Sequence, residues 1–183
     1  MKRLLIVVDY QNDFVNGSLG FEGADLLDSR IVEKIEGYRA AGDLVAFTMD
    51  THPAAYLQTQ EGANLPVEHC IEGTRGWELF GDVAQARREC DLVFAKPTFG
   101  SADLFEYLMD AQAKVPVGEP AYQSIELVGL LSNICVLSNA VVAKTACPEV
   151  PIIVDASCTA SFDSKLNEEA LDVLAGIQVR VVR

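Results

Sequence analysis

The stretch Leu127-Val128-Gly129-Leu130-Leu131-Ser132-Asn133-Ile134-Cys135-Val136-Leu137-Ser138 decides the fold. It reads as a strand buried on both faces, running into a tight turn, with a cysteine where a helix begins. A strand of that kind belongs to a parallel sheet covered by helices. A helix N-terminus offers unpaired N–H groups and the positive end of the helix dipole. Both favour thiolate over thiol, so Cys135 is a candidate nucleophile. A lone cysteine at such a junction is ordinarily a small inert hydrophobe, so the rest of the chain must supply its partners.

Working outward, other runs repeat the pattern. Leu4–Val8 is a continuous β-favouring run that ends at Asp9, too short for a signal sequence and better read as a first core strand. An amphipathic helix covers Asp28 to Ala41, with Leu27, Ile31, Ile35 and Tyr38 on one face and Gly42 as its stop. Leu44–Thr48 is a second strand, followed by Asp50-Thr51-His52. Pro53–Phe80 reads as a long loop, and loops of that length are usually functional. A short helix over Asp82–Glu89 precedes a third strand, Asp91–Ala95, which ends at Lys96. Ser101 caps the next helix, and Val115–Tyr122 is a surface loop. Ile125–Gly129 is the fourth strand, Cys135–Thr145 an apolar helix and Pro151–Val154 the fifth strand. A helix over Ser164–Leu174 and a strand over Gln178–Val182 close the chain. Strand and helix alternate without repeat or linker, which predicts one domain over residues 1–183. Its expected fold class is α/β: a three-layer, Rossmann-like α/β/α sandwich on a six-stranded parallel sheet.

A net charge of −13 argues against nucleic-acid or anionic-membrane partners, because phosphate would be repelled. No segment reaches the length of a membrane span. The five cysteines, Cys70, Cys90, Cys135, Cys147 and Cys158, are odd in number and lack disulfide-like spacing, which points to a reducing, cytoplasmic setting.

In a parallel sheet all strand C-termini lie on one edge, where ligands bind. Asp9, Asp50 with His52, Lys96 and Cys135 all follow such ends, so Asp9, Lys96 and Cys135 can converge although they are far apart in sequence. A carboxylate, a cation and a thiol form a usable set for covalent acyl transfer: Asp9 takes the thiol proton and Lys96 stabilises the resulting charge. Taken singly, Asp9 could cap a helical turn, Lys96 could be a solvated loop residue, and His52 and His69 could be ordinary loop histidines.

With these pieces in order, the chain resembles the isochorismatase-like cysteine hydrolases, and within them the nicotinamidases (pyrazinamidases). The resemblance runs over nearly the whole chain. It rests on Leu5–Phe14, Asp50-Thr51-His52, Pro66–Gly76, Lys96–Ser101 and Gly129–Val136. It implies an isochorismatase-like hydrolase fold, with Asp9, Lys96 and Cys135 as a catalytic triad. It implies an oxyanion hole from the N–H groups of Leu131 and Cys135, and a cis peptide in the turn at Leu130–Leu131.

The resemblance also implies a divalent metal, zinc first with manganese or iron as alternatives, held by Asp50, His52 and His69. Many members use a further histidine, but this chain has two histidines in all. Glu61 is the candidate for the missing ligand, with Glu68 as the alternative. Cys70 adjoins His69 and could also bind metal. An Asp/Glu/His set suits all three ions without selecting among them.

The activity implied is deamidation of nicotinamide to nicotinate and ammonia through a Cys135 thioester, a step in NAD salvage. Phe14 and Trp77 are expected to wall the substrate's ring. The small-molecule substrate is the expected partner, and relatives often form homo-oligomers. The rivals are the same machinery without a metal, acting on another small amide or a carbamoyl or ureido compound, and a small-molecule binding protein without catalysis.

Overall fold

The run Leu4–Val8 forms strand β1, and each of its residues is fully buried. Its side chains alternate, as the period of a strand requires. Leu4, Ile6 and Val8 enter one apolar cluster; Leu5 and Val7 enter another on the opposite face. The computed structural model describes residues Met1 to Arg183. After β1 come the short helix α1 (Asn12–Val15), helix α2 (Asp28–Ala40) and strand β2 (Leu44–Asp50). Helices α3 (Gln60–Asn64) and α4 (Gly81–Ala86) lead to β3 (Leu92–Lys96) and α5 (Ala102–Gln112). Then follow β4 (Ile125–Leu130), a π-helical turn at Ser132–Val136, and α6 (Leu137–Ala146). Strand β5 (Ile152–Ala160), helix α7 (Ser164–Gly176) and strand β6 (Arg180–Val182) complete the order.

The six strands form one sheet in the order β3-β2-β1-β4-β5-β6, and all neighbours are parallel. The order reverses direction between β1 and β4, the place where open α/β sheets leave a crevice. Helix α2 buries Ile31, Ile35 and Tyr38 in the cluster on one face. Helices α5, α6 and α7 cover the other face through Leu104 and Leu108, Ala140 and Ala143, and Leu171 and Leu174. This is the expected three-layer arrangement. No helix is long and apolar enough to cross a membrane.

Several expected boundaries move, each for a local reason. Strand β2 runs on to Asp50 because the β2–β3 ladder continues to an Asp50–Lys96 pair, placing two charged residues inside the sheet. Strand β5 continues past Val154 to Ala160, since its register against β4 jumps from Leu127–Val154 to Gly129–Thr159. That bulge is tied by Ser157, whose N–H and hydroxyl both donate to Asp155 Oδ1. The loop Pro53–Phe80 is not all irregular: it holds a 3₁₀ turn at Tyr56–Gln58 and α3. Thr59 caps α3 by accepting from the Gly62 N–H at 3.0 Å. Gly62 is required there, because a Cβ would lie 2.2 Å from the Tyr56 carbonyl oxygen. Helix α4 starts at Gly81 and stops at Ala86; the Asp28 carboxylate accepts from the Asp82 and Val83 N–H groups at its start. Ser101 caps α5 as expected, accepting from Leu104. The helix after β4 begins earlier than Cys135, in the π turn, so Cys135 sits in the first turn and not at its threshold. Strand β6 is shorter than expected at three residues.

Candidate active site

Four strand ends supply the polar centre. Asp9 follows β1, Asp50 ends β2, Lys96 ends β3 and Cys135 lies five residues beyond β4. All four side chains are buried. Lys96 Nζ stands 2.7 Å from Asp9 Oδ2, 3.2 Å from Asp50 Oδ1 and 3.5 Å from Cys135 Sγ. It also donates to the Thr98 carbonyl at 3.0 Å, so every direction around the ammonium is occupied. Thr48 donates to Asp9 Oδ1 at 2.7 Å.

Asp9 does not cap a helix: α1 has Gln11 at its N-cap, without a side-chain cap bond. Its backbone instead takes φ +45°, a conformation that L residues adopt at a cost and that collects at functional sites. Beside it, Gly129 has φ +111°, and a Cβ there would lie 2.1 Å from the Val8 carbonyl oxygen. No side chain fits, so β1 and β4 approach closely just where Asp9 and the Cys135 turn leave the sheet.

Charge balance defines the resting state. Burial pushes the Cys135 thiol well above its ordinary pKa, the Asp9 carboxylate adds to this, and Lys96 opposes it. Burial likewise raises Asp9, against the pull of Lys96. Lys96 therefore faces a thiol and a carboxylate, and a proton on the thiol can pass to Asp9. Moving that proton from sulfur to Asp9 leaves the group's net charge unchanged, so the transfer adds no charge to the buried site.

The turn before α6 is π-helical. The Leu131 carbonyl accepts from the Ile134 N–H at 3.1 Å and from the Val136 N–H at 3.0 Å, passing over the Cys135 N–H between them. π-type turns widen a helix in this way and recur at functional sites. The Leu130–Leu131 peptide bond is cis, as expected.

Asp50 also faces a second group. Its Oδ2 lies 3.0 Å from His52 Nε2 and 3.4 Å from His69 Nε2. Glu61 Oε1, on α3, lies 3.8 Å and 3.9 Å from the same two nitrogens. These separations are too long for four mutual hydrogen bonds. They match the ligand–ligand edges of about 3.4 Å that a tetrahedral ion imposes at bond lengths of about 2.0–2.2 Å. The Val67 carbonyl lies 2.8 Å from His69 Nδ1. With the proton on Nδ1, the Nε2 lone pair faces a carboxylate oxygen, a contact of two acceptors that a bound cation or a second ring proton relieves. The donor set thus fits a divalent metal. Burial opposes ionisation of Asp50, yet His52, His69 and Lys96 together hold its pKa far below the usual carboxylate value. Glu68 is exposed and contacts neither histidine, and Cys70 is buried outside the group.

Both groups open onto a cavity of about 410 Å³. Asp50, Glu61, His69 and Cys135 line it, with Phe14 and Leu131 beside them. Trp77 does not. Its indole N–H donates to Thr51 Oγ1 at 2.9 Å, and it lines another depression together with Met49, Leu79 and Val93. The 3₁₀-type turns after Ile71 carry it away from the opening, so the expected wall residue is a loop anchor. Leu19, Leu65, Phe99, Ile134 and Phe162 line the cavity in its place. A sequence gives these no distinguishing signal, since each is one apolar residue in a different loop.

Gln11 was also not singled out by its pattern. It is fully buried, and its amide pairs with both the Asp50 N–H and the Asp50 carbonyl at 2.8 Å while donating to the Trp77 carbonyl. Asp13 accepts from the Cys70 N–H at 2.8 Å. The polar run Gln11-Asn12-Asp13 straight after a buried strand was the available clue, and its role is to pin the His52 and His69 loops to β1.

The isochorismatase domain family matches residues 3–183. A nicotinamidase of Acinetobacter baylyi is 26% identical, over 95% of this chain and 90% of that one. The crystal structure of nicotinamidase PncA from Bacillus subtilis superposes with a TM-score of 0.82 at 28% identity, covering all of both chains. A pyrazinamidase of Pyrococcus horikoshii, solved in complex with zinc, shares the fold with a TM-score of 0.83 at 21% identity, over 100% of this chain and 99% of that one. A domain match over almost the entire sequence, on a sheet of this order, makes the chain a member of the isochorismatase family.

Proposed function

We propose that the protein is a cysteine amidohydrolase that converts nicotinamide to nicotinate and ammonia. The observation that carries this reading is the position of Lys96 Nζ, within 3.5 Å of both Asp9 and Cys135, behind the cavity that Cys135 lines. The nicotinamidases among its relatives support the choice of substrate.

The amide enters with its ring against Phe14. Asp9 takes the Cys135 proton as sulfur attacks the amide carbon, and Lys96 keeps the developing thiolate paired. The carbonyl oxygen becomes an oxyanion held by the N–H groups of Leu131 and Cys135; one such donor is worth about 2.7–4 kcal/mol in related chemistry. Asp9 then gives the proton to the leaving nitrogen, the C–N bond breaks, and ammonia departs from a thioester. A water gives a proton to Asp9 and its oxygen to the thioester carbon. The C–S bond breaks, Cys135 takes its proton back from Asp9, and the acid leaves, giving up its own proton to solvent or to ammonia.

Asp50, His52, His69 and Glu61 would hold a divalent ion, zinc being the first choice and manganese or iron the alternatives. When bound, the ion supplies a Lewis-acid position for a ring nitrogen, which orients the amide toward Cys135.

The test is ammonia release from nicotinamide. Wild-type protein is expected to release it, and Cys135→Ala is expected to fall to background with the same circular dichroism and metal content. Ammonia release that survives in Cys135→Ala removes the nucleophile assignment.

A further inference from the structure

We propose that the mouth of the cavity is a subsite for an apolar ring substituent, so that the preferred substrates are neutral aromatic amides bearing one, and carboxylate-bearing amides are refused. This rests on the amidohydrolase reading above and specifies its substrate class. Exposure grades along the cavity. At the floor, His69 is 2% exposed and Cys135 5%. At the mouth, Leu65 is 37% exposed, Phe99 46% and Phe162 60%. These side chains come from separate segments, after α3, β3 and β5, yet they meet on one opening. Single exposed apolar residues are ordinary, whereas several gathered around one cavity mark a binding surface.

Volume points the same way. About 410 Å³ lies within the roughly 300–1,000 Å³ range of pockets that take drug-sized ligands. A single-ring amide seated against Phe14 and Cys135 leaves much of that unfilled, and what is left is apolar.

Charge sets the second half of the proposal. No Lys or Arg lines the cavity. The nearby cation, Lys96, is already surrounded by Asp9, Asp50, Thr98 and Cys135. Two lining residues, Asp50 and Glu61, are carboxylates. Those two belong to the ion's donor set at the floor; at the mouth a substrate carboxylate would lie among Leu65, Phe99 and Phe162, desolvated without a partner.

The experiment measures equilibrium binding to zinc-loaded Cys135→Ala protein, which lacks the nucleophile and leaves the amide intact. The probes are nicotinamide, nicotinamides with an alkyl or phenyl group at each free ring position, and a carboxylated nicotinamide. At least one alkyl or phenyl probe should bind about tenfold tighter than nicotinamide, and the carboxylated probe about tenfold weaker. Adding Phe162→Ser should erase the gain, bringing the substituted probe's affinity down to that of nicotinamide measured on the same variant. The proposal is overturned if no substituent helps, if the gain survives Phe99→Ser and Phe162→Ser together, or if the carboxylated probe binds as well as nicotinamide. It is also overturned if those serines leave binding unchanged but alter the oligomeric state, which would make the patch an interface between copies. Ammonia release by the wild-type protein reports separately on the reaction. Its absence with the binding preference intact would remove the amidohydrolase reading and leave the subsite standing.

Discussion

Lys96 and Lys34 each stand between two carboxylates. Lys96 lies 2.7 Å from Asp9 and 3.2 Å from Asp50; Lys34, on α2, lies 2.7 Å from both Glu126 and Asp155. The residue types and distances are nearly the same, and the surroundings are not. The Lys34 side chain is 31% exposed, and its partners are fully engaged: Tyr38 donates to Glu126 Oε2, and Ser157 donates to Asp155 Oδ1. The Lys96 side chain is 0% exposed and faces a thiol at the edge of a cavity. Nothing is left over in the first group for chemistry; it ties α2 across β4 and β5. The second group sets a thiol and a carboxylate on one cation, so a proton can move between them. An ion cluster becomes a site through what remains unspent in it, and composition does not report that.

Removing each lysine tests the contrast most severely. Lys96→Met should cut turnover by about 10²–10³-fold, the scale of one lost electrostatic donor. It should also destabilise the fold by about 3–5 kcal/mol, because Asp9 and Asp50 are left buried without their cation. Lys34→Met should leave turnover within about twofold and cost about 1–2 kcal/mol, since water reaches that lysine. Steady-state ammonia release and urea unfolding of both variants give the four numbers. A Lys34→Met enzyme as inactive as Lys96→Met would abolish the distinction.

The two groups also differ in how legible they were. Asp9, Asp50 and Lys96 could be placed together because each closes an apolar run, and parallel strands put their C-termini on one edge. Lys34, Glu126 and Asp155 carried no such signal. Glu126 lies within a buried run, and Asp155 lies in a bulge that shifts β5 by several residues against β4. Strand periodicity cannot reveal a bulge, so the strand was expected to stop at Val154. The same limit hides the π turn, which moves the helix start ahead of Cys135. Glu61 was readable as a donor type in the right loop. That it faces both histidines depended on α3, whose short span has no hydrophobic period to detect.

Acid titration sharpens the contrast at intermediate scale. Burial alone would raise the Asp155 pKa, but Lys34 and Ser157 hold it below the ordinary carboxylate value. With the folded pKa below the unfolded value of about 3.9, the unfolded chain binds protons first as pH falls. Asp155 therefore contributes its full stability above about pH 4 and loses it as pH drops through the folded pKa. Asp155→Asn should lower Tm at neutral pH, and the gap from wild type should narrow on acidification to about pH 3. A gap that widens instead would mean that the carboxylate is not stabilised by its partners.

Trp77 gives the smallest expected effect and the cleanest separation of site from scaffold. Its indole N–H reaches Thr51, which lies between Asp50 and His52, so it touches the loop that carries the metal donors without entering the cavity. The backbone contact, Gln11 donating to the Trp77 carbonyl, does not depend on the side chain. Trp77→Phe keeps most of the ring packing and removes one hydrogen bond. The expected cost is about 0.5–1.5 kcal/mol in unfolding free energy, with KM for nicotinamide within about twofold. A tenfold rise in KM at unchanged stability would place Trp77 against the substrate after all. A tenfold loss of metal affinity at unchanged stability would show instead that the Thr51 hydroxyl sets the angle between Asp50 and His52.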